Sequence, residues 1–309
     1  MRNAFIRGLT ALAEHDDRVV LLTGDLGFKI FDDFARRFPG RFINAGVAEA
    51  NMIGAAAGMA MAGLRPFAYS IAPFATLRCL EQIRNDVCYH ELPVTIVGVG
   101  GGFSYGPNGP THHALEDIAV MRALPNMTVV CPGDPMEAEA SVAAAGAAGC
   151  PVYLRLGRAG DPTVHPRMPD FRIGSAITVK PGSDCALIAT GGILSTAMAA
   201  ARMLQEYSID ARVLSFHTVK PLDSAALEEC FAGGLPVFTV EEHGLAGGLA
   251  SAVGEWLSGQ GRCGRVTPIA TGDRFAHRSG SQDFLREQEG ISARQIALRV
   301  AGVMEAAFC

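Results

Sequence analysis

The sequence predicts an α/β protein of two doubly wound domains with mainly parallel sheets. Three observations carry that expectation. Short, continuous, β-branched apolar runs alternate with longer helical patterns, as strands do when crossover helices bury both faces of a sheet. The 309 residues include 36 Gly and are 49% hydrophobic but only 18% charged, which suits large cores and tight strand-to-helix turns. The alternation also stops at a stretch bearing Pro, Gly and Asp, then restarts.

In chain order, MRNAFIRGLTALAEHDDR forms an amphipathic helix with charges throughout, unlike the apolar centre of a signal peptide. Strands follow at VVLLTGD (19–25), FINAG (42–46), RPFAYS (65–70), PVTIVGVG (93–100), MTVVCPGD (127–134) and PVYLRL (151–156). Helices lie between them at 49–62, at TLRCLEQIRNDVCYH and at 135–147, the last opening on Pro135. A first domain therefore spans 1–156. GRAGDPTVHPRMPD lacks apolar periodicity, so 157–171 is a linker. The second domain, 172–309, has strand patterns at DCALIATG, ARVLSFH, PVFTVEEHG and RVTPIATGD. Its helices are ILSTAMAAARMLQEYS, LAGGLASAVGEWL and SARQIALRVAGVMEAA.

A formal net charge of −5, spread along the chain, offers no basic footprint for nucleic acid. Eight cysteines (79, 88, 131, 150, 185, 230, 263 and 309) make no CxxC pair, so neither a zinc site nor a disulfide framework is expected. They fit small core residues in a reducing cytoplasm. The nearest approach to a membrane segment, GVAEANMIGAAAGMAMAG (46–63), is mostly Ala and Gly with Glu49 near its start, too weakly apolar to span a bilayer.

Ligands in open parallel sheets sit beyond the carboxyl ends of strands, which directs attention to GVAE, SIAPF, GGGFSYGPNGPTHH and GR. Gly100, Gly101 and Gly102 allow close backbone approach, and Pro110 and Thr111 pre-shape a helix expected to start near His112. Arg155 and Arg158 straddle a strand exit, where a guanidinium can take a carboxylate or phosphate, or serve in linker salt bridges. TGDLG (23–27) lacks the GxGxxG or GK[ST] of a phosphate loop and is expected to be a strand-ending turn. EEH (241–243), His217 and His277 are expected to be packing residues. Glu49 is the odd acid: a helix start favours its anion, apolar packing disfavours it, and its partner must come from elsewhere. Gly54 and Gly58, four apart, would let a second subunit pack closely on this helix, with Met52, Met59 and Met61 filling gaps.

Three ordered stretches, GVAEANMIGAAAGMAMAG, PFAYSIAPFATLRCLEQIRNDV and GPTHHALEDIAVMRALPNMTVVCPGDPMEA, resemble the pyrimidine-binding domain of the transketolase family. VEEHGLAGGLASAV and DRFAHRSGSQDFL resemble that family's C-terminal domain, so the likeness covers nearly the whole chain. The family's GDG motif, with an Asn further along, holds the magnesium and diphosphate of thiamine diphosphate. Here GDL is followed by Asn44 only 18 residues beyond Leu26. The resemblance thus implies the C-terminal subunit of a split transketolase. The diphosphate end and Mg2+ would then belong to an N-terminal partner subunit, the pair assembling as a heterotetramer.

The resemblance also implies roles for single residues. Glu49 matches the acid that hydrogen-bonds N1′ of the aminopyrimidine, favouring the tautomer that removes the thiazolium C2 proton, with apolar packing raising the acid's pKa. His112 matches the histidine that approaches the donor's reacting oxygens. Arg158, with Arg155 as the alternative, matches the arginine that grips a sugar phosphate. Either Ile71 or Phe74 covers the pyrimidine ring. Asn108 stands where many relatives have Asp, and Gly100 near the position where they carry a further phosphate-contacting histidine; the loss of both argues against the common pentose-phosphate donor and acceptor pair and points to a modified sugar or a specialised acceptor. Rival readings are a 2-oxo acid dehydrogenase beta subunit, a deoxyxylulose-phosphate synthase-like condensation and a non-catalytic scaffold.

Overall fold

The computed structural model describes residues 1–261 and 264–308; Cys263 and Cys309 lie outside them. Two mostly parallel sheets, flanked by helices, carry the chain. The first half supplies β1 (Val19–Thr23), β2 (Phe42–Asn44), β3 (Arg65–Ile71), β4 (Thr95–Val99), β5 (Thr128–Val130) and β6 (Val152–Leu156). The second supplies β7 (Ile177–Lys180), β8 (Cys185–Thr190), β9 (Ala211–Ser215), β10 (Thr218–Lys220), β11 (Val237–Gly244) and β12 (Val266–Thr271). Sheet order is β10-β5-β6-β4-β3-β1-β2 in one sheet and β12-β11-β8-β9-β7 in the other. The central strands β1, β4, β6 and β8 are buried at every position, as mainly apolar strands covered on both faces are; the charge of Arg155 in β6 is paired with Asp117.

Two strands lie outside the sequence expectation, and both run antiparallel to their neighbours. β7 closes one edge against β9, and β10 crosses from the second half to pair with β5 of the first sheet. The halves interlock further through the loop after β4, whose Phe103 and Leu115 belong to the second half's core with Leu187, Val240 and Leu285.

Helix placement follows local chemistry. Asp134 caps the helix Pro135–Ala147 by accepting from Glu137 N at 2.8 Å, with Pro135 in the first turn. The segment after β3 is less regular than its sequence suggests. It begins at Ala72, tightens to a 3₁₀ turn at Leu77–Cys79, and widens to a π-helical stretch at Ile83–Cys88. The helix expected near His112 begins only at Asp117. Gly102 and Ala114 bridge to each other instead, so the intervening residues stay a closed loop with one 3₁₀ turn at Gly106–Asn108.

No helix among the described residues is long and apolar enough to cross a membrane.

Candidate active site

β1 sits between β2 and β3, so the chain direction across the sheet reverses at the β1/β3 boundary, where open sheets form a crevice. Three strand ends converge there. Gly24 follows β1, Glu49 opens the helix Glu49–Met61 after β2, and Ser70 lies at the end of β3. A Cβ added to Gly24 would lie 3.3 Å from Ser70 Oγ and 3.4 Å from Glu49 Cγ, so only glycine leaves this approach relaxed. TGDLG is the expected turn, but it also forms one wall of the site. Asp25 holds φ 58°, steadied by Asn44, whose Nδ2 donates to Asp25 Oδ1 at 2.9 Å and whose Oδ1 accepts from Asp25 N.

Glu49 is 2% exposed but not alone: polar partners reach it from the end of β3 and from the segment that follows. Ser70 Oγ donates to Oε1 at 3.1 Å and Arg78 Nη1 to Oε2 at 2.6 Å. A buried carboxylate is tolerable because these donors replace water. Arg78 also lies over the Phe74 ring, 4.5 Å from its centroid. His112 approaches the same ring edge-on, at 5.2 Å and 70°. Its Nδ1 is 3.0 Å from Thr111 Oγ1. The neighbouring His113 turns the other way: it is buried, with Nε2 3.3 Å from Gly106 O and its ring against Phe103.

Glu49, Phe74 and His112 are therefore gathered in one cluster. Ile71 ends β3 and packs toward the core that holds Phe67 and Tyr69, while the half-buried Phe74 faces Arg78 and His112. Asn108 is exposed at the end of its 3₁₀ turn. Arg158, also exposed, lines a separate cavity of about 800 Å³ with Arg202, Gln282 and Arg286. Arg155 is 4% exposed; its Nε donates to Asp117 at 2.8 Å and its Nη2 to Ala114 O and Glu242 O. Its guanidinium is a tie within the fold, whereas Arg158 lines the cavity with an exposed side chain.

Residues 1–160 match the family described as transketolase, pyrimidine binding domain, and residues 174–296 match transketolase, C-terminal domain. The chain belongs to the transketolase family. It is 36% identical over 308 residues to a putative transketolase C-terminal section of Methanocaldococcus jannaschii, covering 99% of this chain and 96% of that one. It is 39% identical over 259 residues to an apulose-4-phosphate transketolase subunit of Phocaeicola vulgatus, covering 83% of each. A solved structure described as a split gene transketolase, inactive beta4 tetramer, is similar at 37% identity and TM-score 0.91, covering 98% of both chains.

Within this transketolase subunit the sequence points to Glu49, Phe74 and His112 but not to Arg78, Ser70 or Gly24. Arg78 stands four residues after Phe74, a spacing that sets two side chains on one helical face. That spacing is the available signal. The irregular turns after it hide which face looks inward.

The cluster suits the aminopyrimidine end of thiamine diphosphate, the cofactor that membership of the family implies. The buried carboxylate, the glycine wall and the half-buried Phe74 form a place for a flat heteroaromatic ring. Asp25 is hydrogen-bonded to Asn44 at the edge of the site.

Proposed function

We propose that this chain is the pyrimidine-binding subunit of a two-chain transketolase that moves a two-carbon ketol unit from a phosphorylated ketose to an aldehyde acceptor. The observation that carries the reading is the cluster of Glu49, Phe74 and His112 at the strand crossover, beside the half-exposed Arg78. Thiamine diphosphate, when bound, supplies the nucleophilic carbon that takes up the two-carbon unit. The remaining chemistry belongs to side chains. Glu49 shares a proton with the ring nitrogen N1′, for which Arg78 must yield one carboxylate oxygen; its side chain is 46% exposed and has room to move. Phe74 covers the pyrimidine ring. His112, on its glycine-rich loop, orients the donor's oxygens and carries protons to and from them. Arg158 takes the sugar phosphate, and Asn108, neutral where relatives have an acid, favours a modified sugar.

The diphosphate and Mg2+ are assigned to a partner subunit, because GDL at 24–26 lacks the family's GDG and Asn44 follows it at too short a distance. Self-association is proposed through the helix Glu49–Met61. There Gly54 and Gly58 have nothing within 4 Å of an added Cβ, and Asn51, Ala55 and Met61 are exposed, while Met52 is buried. The assembly is a heterotetramer working in the cytoplasm.

The decisive measurement mixes this chain with the diphosphate-binding subunit, thiamine diphosphate and Mg2+, and follows ketose turnover. Neither chain alone should turn over. Glu49→Ala should lower the rate of the mixture by about 10²–10⁴-fold, the usual contribution of proton transfer by a placed side chain. Full activity in that variant would rule out the proposed role of Glu49.

A further inference from the structure

We infer that Glu242, in β11 of the second domain, is a positioning residue that sets the loop carrying His112. This rests on the role proposed above for His112. The neck of the loop is a pair of backbone bonds: Gly102 N to Ala114 O and Ala114 N to Gly102 O, each 3.0 Å. Glu242 reaches across the domain boundary to this neck, where its Oε1 accepts from Phe103 N at 2.5 Å. The neck's other side is held through the same residue's backbone, because Arg155 Nη2 donates both to Ala114 O at 2.7 Å and to Glu242 O at 3.1 Å.

The carboxylate itself is fixed from behind. Arg286 donates to Oε2 through Nε at 2.7 Å and Nη2 at 2.5 Å, and is braced by Thr196 Oγ1 at 3.1 Å. Gln282 Nε2 donates to Oε1 at 2.9 Å and lies 3.4 Å from Ser104 Oγ in the loop. Glu242 is 3% exposed, so its charge is tolerated only because these donors surround it. Gly102 has φ +64°, and a Cβ there would stand 2.6 Å from Oε1; glycine is what lets the acid reach the neck. Phe103 then packs in the second domain's core. His112 lies two residues from Ala114, with its ring against Phe74, so a shift of the neck moves the imidazole relative to Glu49 and the donor. The second domain thus places a member of the cluster from across the domain boundary.

The test combines hydrogen exchange on the whole chain with a double-mutant cycle in the two-subunit enzyme. Glu242→Ala should speed amide exchange in 100–116 about tenfold while leaving the helix Pro135–Ala147 unchanged. It should lower ketose turnover about a hundredfold, the scale of a misplacement near 1 Å, and should have no effect on a His112→Ala background. Glu242→Gln keeps an acceptor for Phe103 N and should restore part of both. Unchanged loop exchange, or an equal loss of turnover without His112, overturns the inference. Full turnover in His112→Ala alone removes the role proposed for His112, and the exchange result then decides whether Glu242 holds the loop. If Glu242→Ala does not fold, Gln282→Ala takes its place, and unchanged loop exchange in that variant counts against the inference.

Discussion

Glu49–Arg78 and Asp117–Arg155 are both carboxylate–guanidinium pairs, at 2.6 and 2.8 Å, yet one is half open to solvent and the other is sealed. Asp117 and Arg155 are 1% and 4% exposed, and Tyr153 Oη also donates to the carboxylate. Burial pushes the Asp117 carboxyl up, but Arg155, His243 and the Tyr153 hydroxyl together hold it below its ordinary value. Glu49 is as deeply buried, but its guanidinium partner is 46% exposed. A buried charge whose partner can move aside has a lone pair to offer a ligand. One whose partner is immobile is committed to the fold.

The largest effect on stability should therefore come from the sealed pair. Asp117→Ala leaves Arg155 charged inside the protein and should cost about 3–5 kcal/mol by denaturant unfolding. Glu49→Ala should cost only about 1 kcal/mol, because Arg78 can turn to water, while lowering turnover by about 10²–10⁴-fold. Reversal of that order would erase the distinction between the two pairs.

Acid should act through the sealed region next. Burial takes His243 from an ordinary 6.5 down to about 4. Its Nδ1 lies 2.7 Å from Gly244 O and its Nε2 accepts from Ala119 N at 3.4 Å, an arrangement that needs the neutral ring. The folded-state pKa lies below the unfolded one, so between pH 6.5 and 4 the unfolded chain binds the proton first. Stability contributed by His243 is full above 6.5 and is lost as pH falls across that window, by about 3 kcal/mol. Unfolding of wild type compared with His243→Gln should show this difference. Parallel pH curves would mean that protons reach the region without cost.

Much of this contrast is legible in the sequence, and the missing parts share a cause. The strand ends mark Glu49 and His112 because apolar runs fix where parallel strands stop. Arg155 and Arg158 both read as strand-exit cations; only the packing of Asp117 and Glu242 around the first separates them. EEH reads as packing, which holds for Glu241, whose carboxylate accepts from Leu249 N and Ala250 N at a helix start. Its neighbour Glu242 faces the other way, as alternate strand residues do, and meets a loop more than a hundred residues distant in sequence. Such cross-domain partners leave no local trace. β10 escapes for the same reason, since three residues pair with a strand of the other domain.

The smallest expected effect is also the sharpest test of the open pair. Arg78 contributes one bond to the buried Glu49 and a cation over the half-buried Phe74 ring, from a side chain that is itself 46% exposed. Arg78→Ala should cost at most about 1 kcal/mol in unfolding, because truncating an already exposed guanidinium lets water reach the Glu49 carboxylate in its place, and Ser70 still donates to it. Arg78→Lys should fall between, keeping the charge but losing the planar contact with the ring. A cost near that of Asp117→Ala would mean that Arg78 is as fixed as Arg155. Glu49 would then have no oxygen to yield, and the cluster would be scaffold.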